Sequence, residues 1–255
     1  MAIDLDAIRK KLQGLNQTNQ RTSNLWKPEP GKNQVRIVPY QFNKDNPFIE
    51  LMFHYGLGKR SYLSPTTFGD SDPIVEFAEK LKKTGSRDDW KLAKGLEPKM
   101  RTFVPVIVRG QESEGVKFWG FGKTVYQELL TFIADPDYGD ITDLKGGRDI
   151  TVTFTPAEGG ERFPKTSIMV KPNQTPATDN KDLAEKIVNG QSDIHEIYSK
   201  VSYDELKEVL ENWLNPEDGN STESAPQQEQ KVATPAGVNQ TNDIDTAFDD
   251  LFNSK

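Results

Sequence analysis

The residues of this chain best suited to do chemistry are cations and aromatic rings set at alternate positions between Lys99 and Lys123. The stretch reads KMRTFVPVIVRG, then QESEG, then VKFWGFGK, which is two strand-like runs across a short polar connection. Arg101, Phe103, Pro105, Ile107 and Arg109 share one parity in the first run. Lys117, Trp119 and Phe121 share one in the second, so a cation and two large rings would leave one face of a pleated strand. A core face would not carry Arg101, Arg109 and Lys117 without acidic partners, and the nearby acids, Glu112 and Glu114, fall in the turn. Cations that track phosphates, interleaved with flat rings that stack on unpaired bases, are what a single-stranded nucleic-acid groove requires. An ordinary amphipathic hairpin with Trp119 and Phe121 in its core satisfies the same pattern.

Other chemistries have less support. Gly122-Lys123-Thr124 resembles the end of a phosphate-binding loop, but the motif's first glycine would fall at position 117, which is lysine. The only histidines, His54 and His195, lie beside no credible serine and acid pair, which leaves a catalytic triad or a histidine-based metal site without a basis. With no cysteine there is no thiolate nucleophile, no disulfide and no cysteine-based zinc site. The chain is expected not to be an enzyme and to hold no cofactor.

The net charge of -7 looks unfavourable for a nucleic-acid partner until it is divided along the 255 residues. Residues 1–171 carry 26 Lys+Arg against 22 Asp+Glu, residues 172–215 carry 4 against 9, and residues 216–255 carry 2 against 8. A mildly basic body is followed by an acidic end. No apolar run approaches the roughly 20 residues that cross a bilayer, and the N-terminus lacks an apolar signal-peptide core. The expectation is a non-exported protein without a membrane partner.

The elements that would position the hairpin follow from local signals. Residues 1–15 place Leu5, Ile8, Leu12 and Leu15 at helical spacing, with Arg9, Lys10 and Lys11 on the other faces. An isolated helix that short is marginal in water, so it is expected to order on a partner, with 16–24 as a polar tether. A helix that caps its own domain is the alternative. From Gln34 the runs QVRIVPY, FIELMFHYG and RSYL read as short strands. Asp72 before Pro73 starts a helix to Lys83, and Ser86 starts another that Gly95 ends. These form a helical insertion. Thr124 to Ala134 carries Val125, Leu129, Phe132 and Ile133 as an apolar stripe to pack beneath the sheet. Asp149 to Thr155 and Lys165 to Lys171 are further strands, joined by a loop that offers Arg162, Phe163 and Lys165. Ser202 and Glu205 make a capping box ahead of Leu206, Val209, Leu210 and Trp213.

Five or more short strands with one packed helix suggest a mainly β fold with α elements, built on a small Greek-key barrel of the oligonucleotide-binding (OB-fold) type. The expected organisation is a basic arm over 1–24, a core with helical subdomain and acidic helices over 25–215, and a disordered acidic tail over 216–255. The tail ends in DIDTAFDDLF, where Ile244, Phe248, Leu251 and Phe252 stand among aspartates that include Asp249 and Asp250. Such a peptide is ready to dock on something basic and grooved.

In this order WKPEPGKNQVRIVP (Trp26 to Pro39), His54-Tyr55-Gly56, KFWGFGK (Lys117 to Lys123) and DIDTAFDDLF make a chain that resembles the helix-destabilising single-stranded DNA-binding proteins of T-even-like tailed bacteriophages. The resemblance covers most of the length. It implies cooperative, sequence-independent coating of single-stranded DNA in phage replication, recombination and repair, in the cytoplasm of the infected bacterial host. Arg9, Lys10 and Lys11 sit where the family's arm docks on the neighbouring molecule, and the tail would meet helicase-loading, polymerase or recombination proteins. Phosphate contacts are expected from Lys99, Arg101, Arg109, Lys117, Lys123, Arg162 and Lys165, and stacking from Tyr62, Phe103, Trp119, Phe121 and Phe163. An RNA-binding OB-fold protein and a protein-interaction scaffold are the alternatives. There is one departure. The family's phage prototype holds zinc with one histidine and three cysteines, and Asp72-Pro73-Ile74-Val75 stands where its Cys-Pro-x-Cys step would be. One histidine and one carboxylate do not make a tetrahedral site, so no zinc is expected, and Val75, Phe77, Ala78 and Leu81 are expected to replace it with apolar packing.

Overall fold

The computed structural model of the chain describes residues 24–58, 60–159 and 163–215. Residues 1–23 of the proposed arm, the proposed tail and Arg162 lie outside them. The architecture is mainly β with α elements, and the chain divides into two compact units. The first takes the chain up to Glu50 together with Arg101–Tyr198, and the second takes Leu51–Met100 and the chain from Ser199 onward.

In the first unit, strands β1 (Leu25–Trp26), β2 (Gly31–Ile37), β5 (Lys99–Val108), β6 (Lys117–Phe121), β7 (Arg148–Thr155) and β8 (Lys165–Gln174) form a mixed sheet in the order β1-β6-β5-β2-β7-β8. Only the β1–β6 pair of this path is parallel; β2–β5, β2–β7, β5–β6 and β7–β8 are antiparallel. Its main core joins Trp26, Val35, Ile37, Val104, Val106, Trp119, Phe121, Ile150 and Val152, and helix α3 (Lys123–Ala134) adds Val125 and Leu129. The stripe expected on α3 is the face that packs. A smaller cluster of Val38, Ile107, Ala177 and Ile187 joins helix α4 (Lys181–Asn189) to the sheet, followed by the single turn α5 (Ile194–Ile197).

The second unit holds the larger part of β3 (Ile49–His54), β4 (Tyr62–Leu63), and helices α1 (Pro73–Lys83), α2 (Arg87–Leu96) and α6 (Tyr203–Leu214). Their sequence caps act as read. Asp72 accepts from the N–H groups of Ile74 and Val75, Ser86 from Asp89, and Ser202 from Glu205. Ile74, Phe77, Ala78 and Leu81 of α1 meet Ala93 and Leu96 of α2 and Leu206 and Leu210 of α6 in one cluster. Val75 is only partly buried and is not a member. Gly95 does not stop α2, because the helix runs one residue further to place Leu96 in the core.

Candidate nucleic-acid interface

The hairpin of β5 and β6 forms in the expected antiparallel sense, with Val104 opposite Trp119, Phe103 opposite Gly120 and Val106 opposite Lys117. The face it was expected to show is nevertheless inside. Trp119 and Phe121 are buried at 1% and 5% exposure, and the Trp119 ring meets Trp26 at 5.8 Å and Phe121 at 4.6 Å. On the opposite face Phe103 is also buried, 5.1 Å from the Tyr198 ring. Parity identified which residues share a side, but β5 is covered on both sides from Thr102 onward, so neither side is a groove wall. Phe103, Trp119 and Phe121 are core residues and not stacking rings. Gly120 belongs to the same packing, since a Cβ there would lie 2.6 Å from the Phe103 ring.

Arg109 is corrected for a different reason. Its acidic partner exists, forty residues further on: the guanidinium donates to Asp149 at 2.8 Å through Nη2, to the Ala177 carbonyl at 2.7 Å and to the Pro176 carbonyl at 3.0 Å. Asp149 also pairs with the fully buried Arg36 at 2.9 Å, and burial, ahead of the neighbouring charges, lowers the Arg36 pKa. These two arginines fasten β2 and β5 to β7 and to the segment after β8. Arg109 is a structural cation.

Of the expected contacts on the first unit, several keep an accessible side chain. Arg101 is exposed and donates to the Gly120 carbonyl at 3.0 Å; Lys123 is exposed at the first position of α3; Phe163, at 45% exposure, precedes the exposed Lys165 that opens β8. Lys117 is half-buried and paired with Glu114. It borders an open polar hollow of about 500 Å³ with Lys27, Lys32, Asn33, Gln34 and Arg109. The sequence reading did not single out Lys27 or Lys32, because they lie on β2 and its approach, some 80 residues away in the chain.

The second unit carries Lys99, exposed, and Tyr62, half-buried with the Arg60 guanidinium 4.9 Å above its ring. It also presents a ring that the sequence reading missed. Trp90 is 50% exposed on α2, with the Lys94 ammonium 5.7 Å from the ring centre. Arg87, Trp90, Lys91 and Lys94 follow the i, i+3, i+4, i+7 spacing of one helix face, opposite the buried Asp89, Ala93 and Leu96. That spacing was the available signal.

His54 lies in the second unit and fails the test for a metal ligand. Its Nε2 faces Asp72 Oδ2 at 2.8 Å and its Nδ1 the Leu96 carbonyl at 2.8 Å, so both ring nitrogens are taken up by protein oxygens and neither faces a space for a metal. Asp72 is fully used as well, accepting from Ser64 Oγ at 2.5 Å and from the N–H of Ile74 at 2.9 Å. The chain has no cysteine to complete a set, and among the described residues no cluster of three His, Asp or Glu side chains is arranged to hold an ion. The residues do not fit zinc.

Among the described residues, exposed cations and rings stand on both units. A family model described as gp32 DNA binding protein like matches residues 29–215. That is more than half of the 255 residues, and the chain belongs to this family. No curated protein matches the chain. No described helix is long and apolar enough to cross a membrane.

Proposed function

We propose that this protein binds single-stranded DNA cooperatively and without sequence preference, coating it during phage replication, recombination and repair in the infected bacterial cytoplasm, and that it acts stoichiometrically without catalysis. Membership of a DNA-binding family over residues 29–215 carries the reading. The exposed cations support it: Arg101, Lys123 and Lys165, with Lys27 and Lys32 at the polar hollow, on the first unit, and Arg87, Lys91 and Lys99 on the second. Each is suited to a phosphate contact. The rings available to stack are Phe163, Tyr62 and Trp90, with Arg162 beside Phe163 in sequence. The mixed sheet is compatible with an OB-type core. In this reading Arg9, Lys10 and Lys11 act between molecules, and Ile244, Phe248, Asp249, Asp250, Leu251 and Phe252 dock replication, recombination and helicase-loading proteins.

Competition among poly-dT, poly-rU and duplex DNA tests it. The expected order is poly-dT first by a wide margin. Preference for poly-rU would make this an RNA-binding protein, and binding to none of the three would make it a scaffold.

A further inference from the structure

The main core of the first unit takes one side of β2, β7 and β8, and at this end of the strands the pleat leaves the other side to solvent. Val35 opposite Ile150, Ile150 opposite Val170 and Val152 opposite Ile168 are the core side. The residues between them stand in two rows that cross all three strands: Lys32, Thr153 and Ser167 in one, and Gln34, Thr151 and Met169 in the next. Thr155 opposite Lys165 adds a shorter third row. Lys32, Thr155, Lys165 and Ser167 are exposed, and Met169, at 60%, is more exposed than any other large apolar side chain among the described residues. Two strand spacings make the longer rows about 10 Å wide. Lys32 and Gln34 also line the polar hollow, so the face and the hollow are continuous.

These rows have the chemistry of a phosphate contact without base recognition. They hold two lysines, four hydroxyls, one amide and one thioether, with no carboxylate and no aromatic ring. The one acid of β7, Asp149, is taken up by Arg36 and Arg109. Glu29 on the wall of the hollow and Glu158 in the loop after β7 lie outside the three strands. Cations beside hydroxyls suit phosphodiester oxygens. Unpaired bases bind by stacking, and a face without rings gives them nothing to stack on. A duplex stacks its bases on one another and shows a flank of phosphates and sugars, which needs only the groups these rows contain. Phe163, exposed two residues before Lys165, sets a ring at the border, where a strand would pass from unpaired to paired.

We infer that the outer face of β2, β7 and β8 binds the sugar-phosphate flank of duplex DNA adjoining the single strand, so that the protein holds a junction more tightly than the unpaired strand alone. The inference rests on the single-strand reading above and adds to it a second contact that ignores the bases. Lys32 and Lys165 meet phosphates, the hydroxyls between them donate to phosphate oxygens, and Met169 packs on sugar. A second copy of the same face is not the occupant, because pairing would set lysine against lysine.

The test compares the full-length protein on a short oligo-dT strand and on the same strand extended from a DNA hairpin. The parent should bind the hairpin junction about tenfold more tightly than the strand, with a slope of log affinity against log salt steeper by about two, one for each lysine. Ser167→Glu with Met169→Glu sets two carboxylates among the rows; it should erase that gain and bind the strand as the parent does. Ser167→Lys with Met169→Lys should enlarge the gain, and Ser167→Gln with Met169→Gln should retain most of it. Melting temperatures report the fold of each, and opposite shifts in the Glu and Lys pairs cannot come from damage to the sheet. Equal parental affinity for junction and strand, or a gain that survives the Glu pair, would overturn the inference and leave the proposed function standing. Equal loss on both probes in the Glu pair would also overturn it, by placing the single strand itself on this face. A parent that binds neither probe would remove the proposed function, and the inference with it.

Discussion

His54 and Asp72 face each other at 2.8 Å with both side chains fully withdrawn from solvent. The pair ties the end of β3 to the first turn of α1, and through the Leu96 carbonyl to the end of α2. Burial by itself would raise the Asp72 pKa; the hydrogen bonds from His54, Ser64 and the Val75 N–H outweigh it and hold the carboxyl below its ordinary value. A depressed carboxylate contributes stability that is present above its unfolded value, about pH 4, and is lost as pH falls through the folded value. Asp72→Asn should cost about 3 kcal/mol at neutral pH, the penalty of stranding one partner of a buried pair. It should also flatten the acid limb of the melting temperature against pH. An acid limb of unchanged steepness would show that other carboxylates control it. Since this clamp commits both ring nitrogens of His54, a chelator should leave the neutral-pH melting temperature unmoved, and one zinc per chain by metal analysis would refute that.

The four tryptophans separate stacking from packing. Trp26 and Trp119 are buried, Trp213 is half-buried, and Trp90 is half exposed. Oligo-dT should therefore quench fluorescence that disappears in Trp90→Phe, and Trp90→Ala should weaken binding by about 1–3 kcal/mol. Trp119→Ala should cost about 3–5 kcal/mol of stability and leave the affinity of the folded fraction as it was. Quenching that survives Trp90→Phe would return the signal to another ring.

The two kinds of cation can be told apart in the same way. Arg109→Ala strands Asp149 beside Arg36 and opens the anchors to Pro176 and Ala177, so its effect should be on stability, by about 3 kcal/mol. Lys123→Ala removes an exposed charge, and should leave the melting temperature unchanged while lowering the slope of log affinity against log salt by about one. A salt slope that changes in Arg109→Ala at parental stability would reverse the assignment.

Local signals in the sequence were legible and distant ones were not. Asp72-Pro73, Ser86 and Ser202 start helices because a cap is decided within three residues, and the stripe of α3 packs because its spacing is a local property. The face of the hairpin could not be decided locally. Whether Trp119 looks inward depends on Trp26, Val35 and Ile150, and whether Arg109 is paired depends on Asp149, all brought in from other strands. The same reason hid the union of α6 with α1 and α2, whose shared core spans more than 130 residues of chain. Trp90 was legible in principle, since its outward face follows from the spacing of Arg87, Trp90, Lys91 and Lys94 on one short helix.

The N-terminal residues yield a separate prediction. Deleting residues 1–20 removes Leu5, Ile8 and Leu12 with Arg9, Lys10 and Lys11, and leaves every described residue in place. Cooperativity on poly-dT should disappear and affinity for a short oligonucleotide should not change. Equal loss on both would show that the segment contacts DNA within its own molecule.

The acidic end sets the last expectation. Residues 216–255 carry two Lys against eight Asp or Glu, and they follow a body whose first 171 residues are net basic. At random-coil scaling, forty residues would span on the order of 35 Å, about the width of a small domain. On the proposed reading the tail competes with DNA phosphates for the exposed cations, Lys123 and Lys165 among them. The competition is electrostatic on both sides, so deleting 216–255 should raise affinity for oligo-dT most at low ionic strength, with the gain shrinking as salt screens both attractions. On the proposed reading, in which Ile244, Phe248, Leu251 and Phe252 dock partners, the deletion should also abolish capture of replication and recombination proteins. Occupation of the cations by DNA would then release the tail to its partners, and by reciprocity a partner on the tail would strengthen DNA binding by the same factor. Titrations of full-length and truncated protein across a series of salt concentrations decide the point: coincident affinities throughout the series would eliminate competition by the tail, whatever the partner assays then showed.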